Sequence, residues 1–112
     1  MNLENLKQEL INLEAGFCSA LSDPSRLLIL YILDEGDKNV GELSEQAKIS
    51  QSNVSKHLKI LKEKGLVSSS KSGTVVTYSL ADKKLITALD LLRSIMAEHH
   101  ANRTVIINHS NP

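Results

Sequence analysis

Hydrophobic residues recur at helical spacing near both ends of the chain. Leu3, Leu6, Leu10, Leu13 and Phe17 follow one another at intervals of 3, 4, 3 and 4, which lays them along one side of a helix. Leu85, Leu89, Leu92 and Met96 recur at 4, 3 and 4, and His99 continues the same seam. Between these stripes the pattern changes three times. Ser22-Asp23-Pro24 is a helix start, a capping side chain before a proline whose missing N–H costs nothing at the first helical position. The run RLLILYIL that follows is almost continuously apolar, predicting a helix buried on most sides that stops near Gly36. Asn39 with Glu42 three residues on has the form of a capping box, opening a short helix through Leu43 to Ala47. Ser50 is placed to cap the next helix, SQSNVSKHLKILKEKGLV, which ends at Gly65.

Two helices joined by a turn of a few residues, the second opening on short polar side chains, make a helix-turn-helix pattern. After Gly65 the period shortens. Leu66 to Ser70 and Thr74 to Leu80 read as strands around Lys71-Ser72-Gly73, where Gly73 supplies a positive φ. A hairpin directly after a helix-turn-helix is a wing. Asp82 is expected to cap the last helix. The fold class that follows is mainly α with a small β-hairpin, a winged helix-turn-helix of order α-α-α-α-β-β-α. Residues 1–102 read as a single such domain with dimerising terminal helices, Leu3, Leu6, Leu10, Leu13, Leu85, Leu89, Leu92 and Met96 forming the dimer seam. The alternative is that each stripe packs on its own domain's core, against which so small a domain has little apolar surface to cover both. Residues 103–112 read as a C-terminal tail whose apolar run, Val105 to Ile107, receives no role.

Composition narrows the classes. Apolar residues make up 41% and charged residues 23% of the 112, which fits a soluble globular protein. No apolar run approaches the ~18 residues of a membrane span, and the N-terminus lacks a basic-then-apolar leader, so no membrane partner and a cytoplasmic location are expected. Cys18 is the single cysteine, which rules out an intrachain disulfide and an all-cysteine metal site within one chain. Formal net charge is zero, yet from Lys48 to Lys71 six lysines face one acid, Glu63. A neutral chain with one basic stripe can still grip a phosphate backbone through it. A solvated helix face would explain the lysines but not the Gln51-Ser52-Asn53 cluster before them.

Helical geometry sorts these side chains. With Val54 at zero and about 100° per residue, Leu58 and Leu61 fall within about 40° of it. Ser55, Lys59, Ser52 and Lys56 fall between about 100° and 200°, with Gln51 and Lys62 at the near edge. One exposed face therefore carries Gln, Ser and Lys. Gln can bind an adenine edge bidentately, and Lys suits guanine or phosphate. The short residues occupy the first turn, as a helix entering a major groove by its N-terminus requires. His57, at about −60°, reads as a structural histidine beside the buried stripe.

DPSRLLILYIL, then VGELSEQAKISQSNVSKHLKILKEKGLV, then a hairpin ending in TYSL, closely resembles the ArsR family of winged-helix bacterial repressors over roughly Ala20 to Leu80. The resemblance implies a homodimer built through the first and last helices, binding to an inverted repeat in double-stranded DNA, and release on sensing a metal, metalloid or oxidant. It implies Gln51, Ser52, Ser55 and Lys56 as base or phosphate readers, with Lys71 and Thr74 from the wing. Together with Asn53 and Lys59 these make up the expected DNA-binding set. Family wings usually carry arginines, so Ser68-Ser69-Ser70-Lys71 implies a weaker grip here. Lys48 stands where the interhelical turn often has glycine, and a left-handed conformation there would cost roughly 1 kcal/mol.

Metal-sensing members often carry a cysteine pair where this chain has Asn39 and Gly41, and a second site on the last helix where it has Asp82, Lys84, Ile95 and Glu98. Both sites are expected to be lost, and no cofactor is expected. Cys18, His99 and His100 remain as sensor candidates, Cys and His together suiting zinc or copper, and Cys18 alone a redox role through an interchain disulfide or oxidation. The plainer alternatives are a small buried Cys18 beside Phe17 and histidines that end a helix where positive charge is favourable. The leading expectation is a sequence-specific DNA-binding regulator, a homodimeric repressor. The alternative is a winged-helix protein-interaction module, against which stands the lack of aromatics on the Gln51 and Ser55 face. No nucleophile triad, phosphate loop or carboxylate pair points to an enzyme.

Overall fold

The computed structural model describes the backbone of residues 1–110 and the side chains of residues 1–101. In chain order it contains α1 (Leu3–Leu13), a π-helical turn (Glu14–Cys18), α2 (Pro24–Glu35), α3 (Val40–Ala47), α4 (Gln51–Glu63), β1 (Val67–Ser72), β2 (Val75–Leu80) and α5 (Lys84–Ser110). It falls into two units, residues 1–82 and residues 83–112.

The helix starts follow their capping chemistry. Asn2 caps α1, accepting from the N–H groups of Glu4 and Asn5. The Asp23 carboxylate accepts from Ser25 N at 2.7 Å and Arg26 N at 3.2 Å, with Pro24 in the first turn. Asn39 and Glu42 form the reciprocal box, at 2.8 and 3.1 Å. Ser50 accepts from Asn53 N at 3.2 Å. Each cap satisfies N–H groups that have no partner within the helix. α3 ends on Lys48 in the left-handed conformation, φ 58° and ψ 43°. A side chain there clashes with its own carbonyl, so Lys48→Gly should raise unfolding stability by about 0.5–1 kcal/mol after the entropy lost by the more flexible unfolded chain is counted. Urea midpoints decide this, and a destabilised variant would show that Lys48 makes compensating contacts.

The core of the first unit is aliphatic. Ile29, Leu30, Ile32 and Leu33 of α2, Leu43 of α3, Val54, Leu58 and Leu61 of α4, and Leu66 and Val67 at the root of the hairpin are all buried. α2 is less enclosed than its composition suggests, since Leu28 is 45% exposed. β1 and β2 pair antiparallel, Val67 opposite Leu80 and Ser72 opposite Val75. The strands thus run closer to the turn than the sequence implies, leaving Gly73-Thr74 as a two-residue loop. Gly73 has φ +63° and Thr74 is not in the positive-φ region, the Gly-X pattern that matches the twist of a hairpin. Lys71 consequently lies in β1, and Thr74 at the tip. Lys38 pairs with Tyr78 through Lys38 N to Tyr78 O at 3.1 Å and Tyr78 N to Lys38 O at 2.8 Å. That bridge fixes the root of the wing to the segment before α3.

α1 departs from a plain seam. The π turn, closed by the Ser19 N–H on Glu14 O, widens the helix and breaks the 3.6-residue phase on which the Leu3 to Phe17 spacing rests. Ser19 Oγ donates to both Ala15 O and Gly16 O at 2.9 Å, supplying partners to carbonyls the wide turn displaces. Cys18 is exposed, which corrects the reading of it as a buried hydrophobe. Leu3, Leu10, Leu13 and Phe17 are exposed and Leu6 is half-buried.

α5 begins at Lys84, with Ile86 and Thr87 N–H groups on the Lys83 carbonyl. Ile86 and Leu89 are buried and Leu85 is half-buried, whereas Leu91, Leu92, Ile95 and Met96 are exposed. The helix runs on to Ser110, through the segment expected as a tail; the side chains of Val105 to Ile107 and of His109 lie outside those described. No helix among the described residues is long and apolar enough to cross a membrane.

Candidate nucleic-acid interface

α4 turns one side inward and another outward because its apolar residues recur at helical spacing. Val54, Leu58 and Leu61 are buried, and α4 packs on α2, α3 and β1. On the far side Gln51, Ser52, Ser55, Lys56 and Lys59 are all exposed. Helical geometry brings these five to one face, at about 60° to 200° from Val54. Asn53 is exposed too, but at about 260° it lies on a different edge, with His57 and Lys64. The first turn holds no acid. Ser50 Oγ and Ser52 Oγ lie 3.3 Å apart, so Ser52 shares the capping hydroxyl's surroundings.

The wing contributes Lys71 and Thr74, both exposed. Thr74 stands at the tip and Lys71 opposite Val76, two positions before Gly73. The rest of the basic stretch is partly committed to the fold. Lys62 Nζ donates to Ser69 Oγ at 2.7 Å, tying the last turn of α4 to β1. Lys64 Nζ donates to Ala15 O at 3.1 Å, reaching the π turn. Both are structural lysines that a charge count cannot separate from surface ones.

Sequence reasoning did not single out the cluster behind α4. Arg26 Nε donates to Ala20 O at 2.6 Å, and its Nη1 lies 3.4 Å from His57 Nδ1 and 3.9 Å from the Asp23 carboxylate. Partial burial pushes the Asp23 carboxyl upward, but the N–H groups of Arg26 and Ser25 and the nearby His57 and Arg26 outweigh it and hold it below its ordinary value. His57 is half-buried, in keeping with a structural histidine at the edge of the core. The signal that could have found this cluster is the arginine two residues after a capping Asp-Pro.

The sensor candidates belong to different units. Cys18 is exposed within the first unit, while the His99 and His100 rings, 6.3 Å apart and edge to face, belong to the second. Asn39 spends its side chain on the α3 cap.

Comparison with known proteins gives the family and the fold. The family model of the bacterial regulatory protein, arsR family, matches residues 23–69. An HTH-type transcriptional regulator of Mycobacterium tuberculosis is 32% identical over 101 residues, 89% of this chain and 89% of the relative. The "Probable mercury resistance operon repressor" of Streptomyces lividans is 37% identical over 87 residues, 78% of this chain and 70% of that protein. The solution structure of a homodimeric winged helix-turn-helix DNA-binding domain from Mycobacterium bovis matches with a TM-score of 0.74 at 27% identity, covering 86% of this chain and 89% of that one. The chain belongs to the ArsR family of winged helix-turn-helix transcriptional regulators.

Proposed function

We propose that this regulator is a homodimeric repressor that binds an inverted-repeat operator, reading bases with Gln51, Ser52 and Ser55 and phosphates with Lys56, Lys59 and the wing. The observation that carries this reading is the face of α4. Its first turns expose Gln, Ser and Lys side chains on a face that starts beside the buried Val54, Leu58 and Leu61 stripe, with Gln51, and continues to its far side, an arrangement that suits a groove-reading helix. Exposed Leu3, Leu10 and Leu13 of α1, and exposed Leu92 and Met96 of α5, support terminal helices that pair with a second copy. A dimer of this kind places two reading helices about one duplex turn apart, which is what an inverted repeat supplies.

Both family metal sites are lost on this reading. Gly41 has no side chain, Asn39 is the α3 cap, and Lys84 with Ile95 replaces the ligands of the last helix. A neutral amide, a lysine and an isoleucine do not make a divalent-cation site.

Fluorescence anisotropy tests the proposal, using DNA from upstream of the chain's own gene, a scrambled duplex of equal length, and a salt series. Salt-dependent binding that favours the native duplex is the expected result. Equal, weak binding to both would mean that the exposed α4 face meets a protein instead. Within that assay Lys71→Ala should weaken binding to every sequence and lower the salt slope by about one. An unchanged slope would show that the wing does not touch phosphate.

A further inference from the structure

α4 carries a second polar edge, turned away from the Gln51 and Ser55 face. His57 and Lys64 are seven residues apart and so fall about 20° from each other around the helix. Each is tied to the same short stretch at the end of the N-terminal helix. Lys64 reaches it directly, through Ala15 O at 3.1 Å. His57 reaches it through Arg26, whose Nε is fixed on Ala20 O at 2.6 Å and whose Nη2 lies 3.5 Å from Ser19 O. The Arg26 side chain is only 13% exposed, so its fork has little freedom to turn elsewhere.

We infer that Arg26 and His57 are positioning residues for DNA reading: the clamped guanidinium holds the neutral imidazole and with it the rotational setting of α4, so protonating His57 weakens DNA binding. This inference rests on the reading of α4 as the DNA-contacting helix. Arginine offers only donors, so a hydrogen bond across that 3.4 Å requires the His57 Nδ1 to accept, with the ring proton on Nε2. An imidazolium donates from both nitrogens. Protonation therefore deletes the contact and sets two cations side by side. Arg26 and Asp23, from α2 and its cap, act on His57; Lys64 shares its helix edge with Nζ on Ala15 O, and Cys18 is the titratable group of the Ala15 to Ala20 stretch and is exposed. Asp23 already accepts from two backbone N–H groups and sits 3.9 Å from Arg26, so its one carboxylate would then serve two cations.

The sign of the effect separates this role from general electrostatics. Added positive charge ordinarily tightens DNA binding, so acidification across the range where imidazoles titrate should strengthen it. Loss of the Arg26–His57 bond predicts the reverse, a roughly tenfold weakening, the size of one charge-assisted hydrogen bond.

The full chain is titrated by anisotropy on the duplex from upstream of its own gene at pH 7.5, 6.5 and 5.5. His57→Asn and Arg26→Ala are run beside it, with circular dichroism to confirm folding at each pH. Asn places an acceptor where Nδ1 stood and does not titrate. The expected result is wild-type affinity that falls about tenfold by pH 5.5, and a His57→Asn variant that keeps its pH 7.5 affinity or tightens. Arg26→Ala should bind more weakly than wild type at pH 7.5 and lose the acid weakening. Should Arg26→Ala fail to fold, His57→Asn alone decides. Nitrogen-15 NMR of the free protein, with the His57 signal identified by its loss in His57→Asn, should show the Nε2–H tautomer. Parallel pH profiles for wild type and His57→Asn on a duplex that both prefer, or an Nδ1–H tautomer, overturns the positioning role while leaving DNA reading intact. A wild type that prefers the upstream duplex at no pH overturns both.

Discussion

Leu58→Ala should cost about 2–5 kcal/mol of unfolding stability, the largest loss expected from any single change on α4. Leu58 is 1% exposed and faces inward with Val54 and Leu61, both fully buried. Truncating it removes buried methyl groups and leaves a void that the helix cannot easily close. α4 is held from several directions, by packing on α2, α3 and β1 and by the Lys62 and Lys64 ties. A helix so held collapses little into a cavity, which favours the upper part of the range. Domains of this size have about 5–15 kcal/mol to lose, so the variant is close to the edge of folding. Urea unfolding checks it, at fixed protein concentration because the proposed dimerisation would stabilise the folded chain. A loss under about 1 kcal/mol would mean that this side of α4 is not close-packed, and the outward direction of its polar face would no longer follow.

That inward stripe was legible in the sequence, as were the caps at Asp23, Asn39 and Ser50 and the left-handed strain at Lys48. All depend on residues within one or two turns of each other, where spacing and side-chain chemistry decide the backbone. The hairpin was legible in kind but not in its ends. Ser68 to Ser72 has weak strand preference and no alternation, so the turn was placed over Lys71 to Gly73 when the pairing of Ser72 with Val75 leaves only Gly73 and Thr74 in it. Features set by distant partners were not legible. The Lys38–Tyr78 bridge and the Arg26 contact with His57 each join residues whose proximity exists only after folding. Lys62 and Lys64 show the same limit at the site. In the sequence they belong with Lys56 and Lys59, and the fold assigns them to β1 and to the π turn.

The second large effect concerns the outward face. Gln51→Ala combined with Ser55→Ala should cost about 1–3 kcal/mol on the cognate duplex and relax its sequence preference. The two residues lie four apart on exposed helix, Gln51 at the N-terminus of α4 and Ser55 one turn on, so on the proposed reading they would reach adjacent positions of one groove. Neither touches the core, and surface changes of this kind leave stability within about 0.5 kcal/mol; a loss of binding is then a loss of contact rather than of fold. The glutamine amide can both donate and accept, which is what a bidentate contact to an adenine edge needs, and alanine can do neither. Lys56, Lys59 and Lys71 stay in place, so the charge that sets non-specific affinity is unchanged. Anisotropy on the cognate duplex, on single-base variants of it and on unrelated DNA separates the two kinds of contact. Affinity should fall on the cognate site alone, and the variants that wild type rejects should become nearly equivalent to it. An equal fall on unrelated DNA would place Gln51 and Ser55 on the phosphates, and the sequence preference of this regulator would then have to come from the shape and deformability of its site.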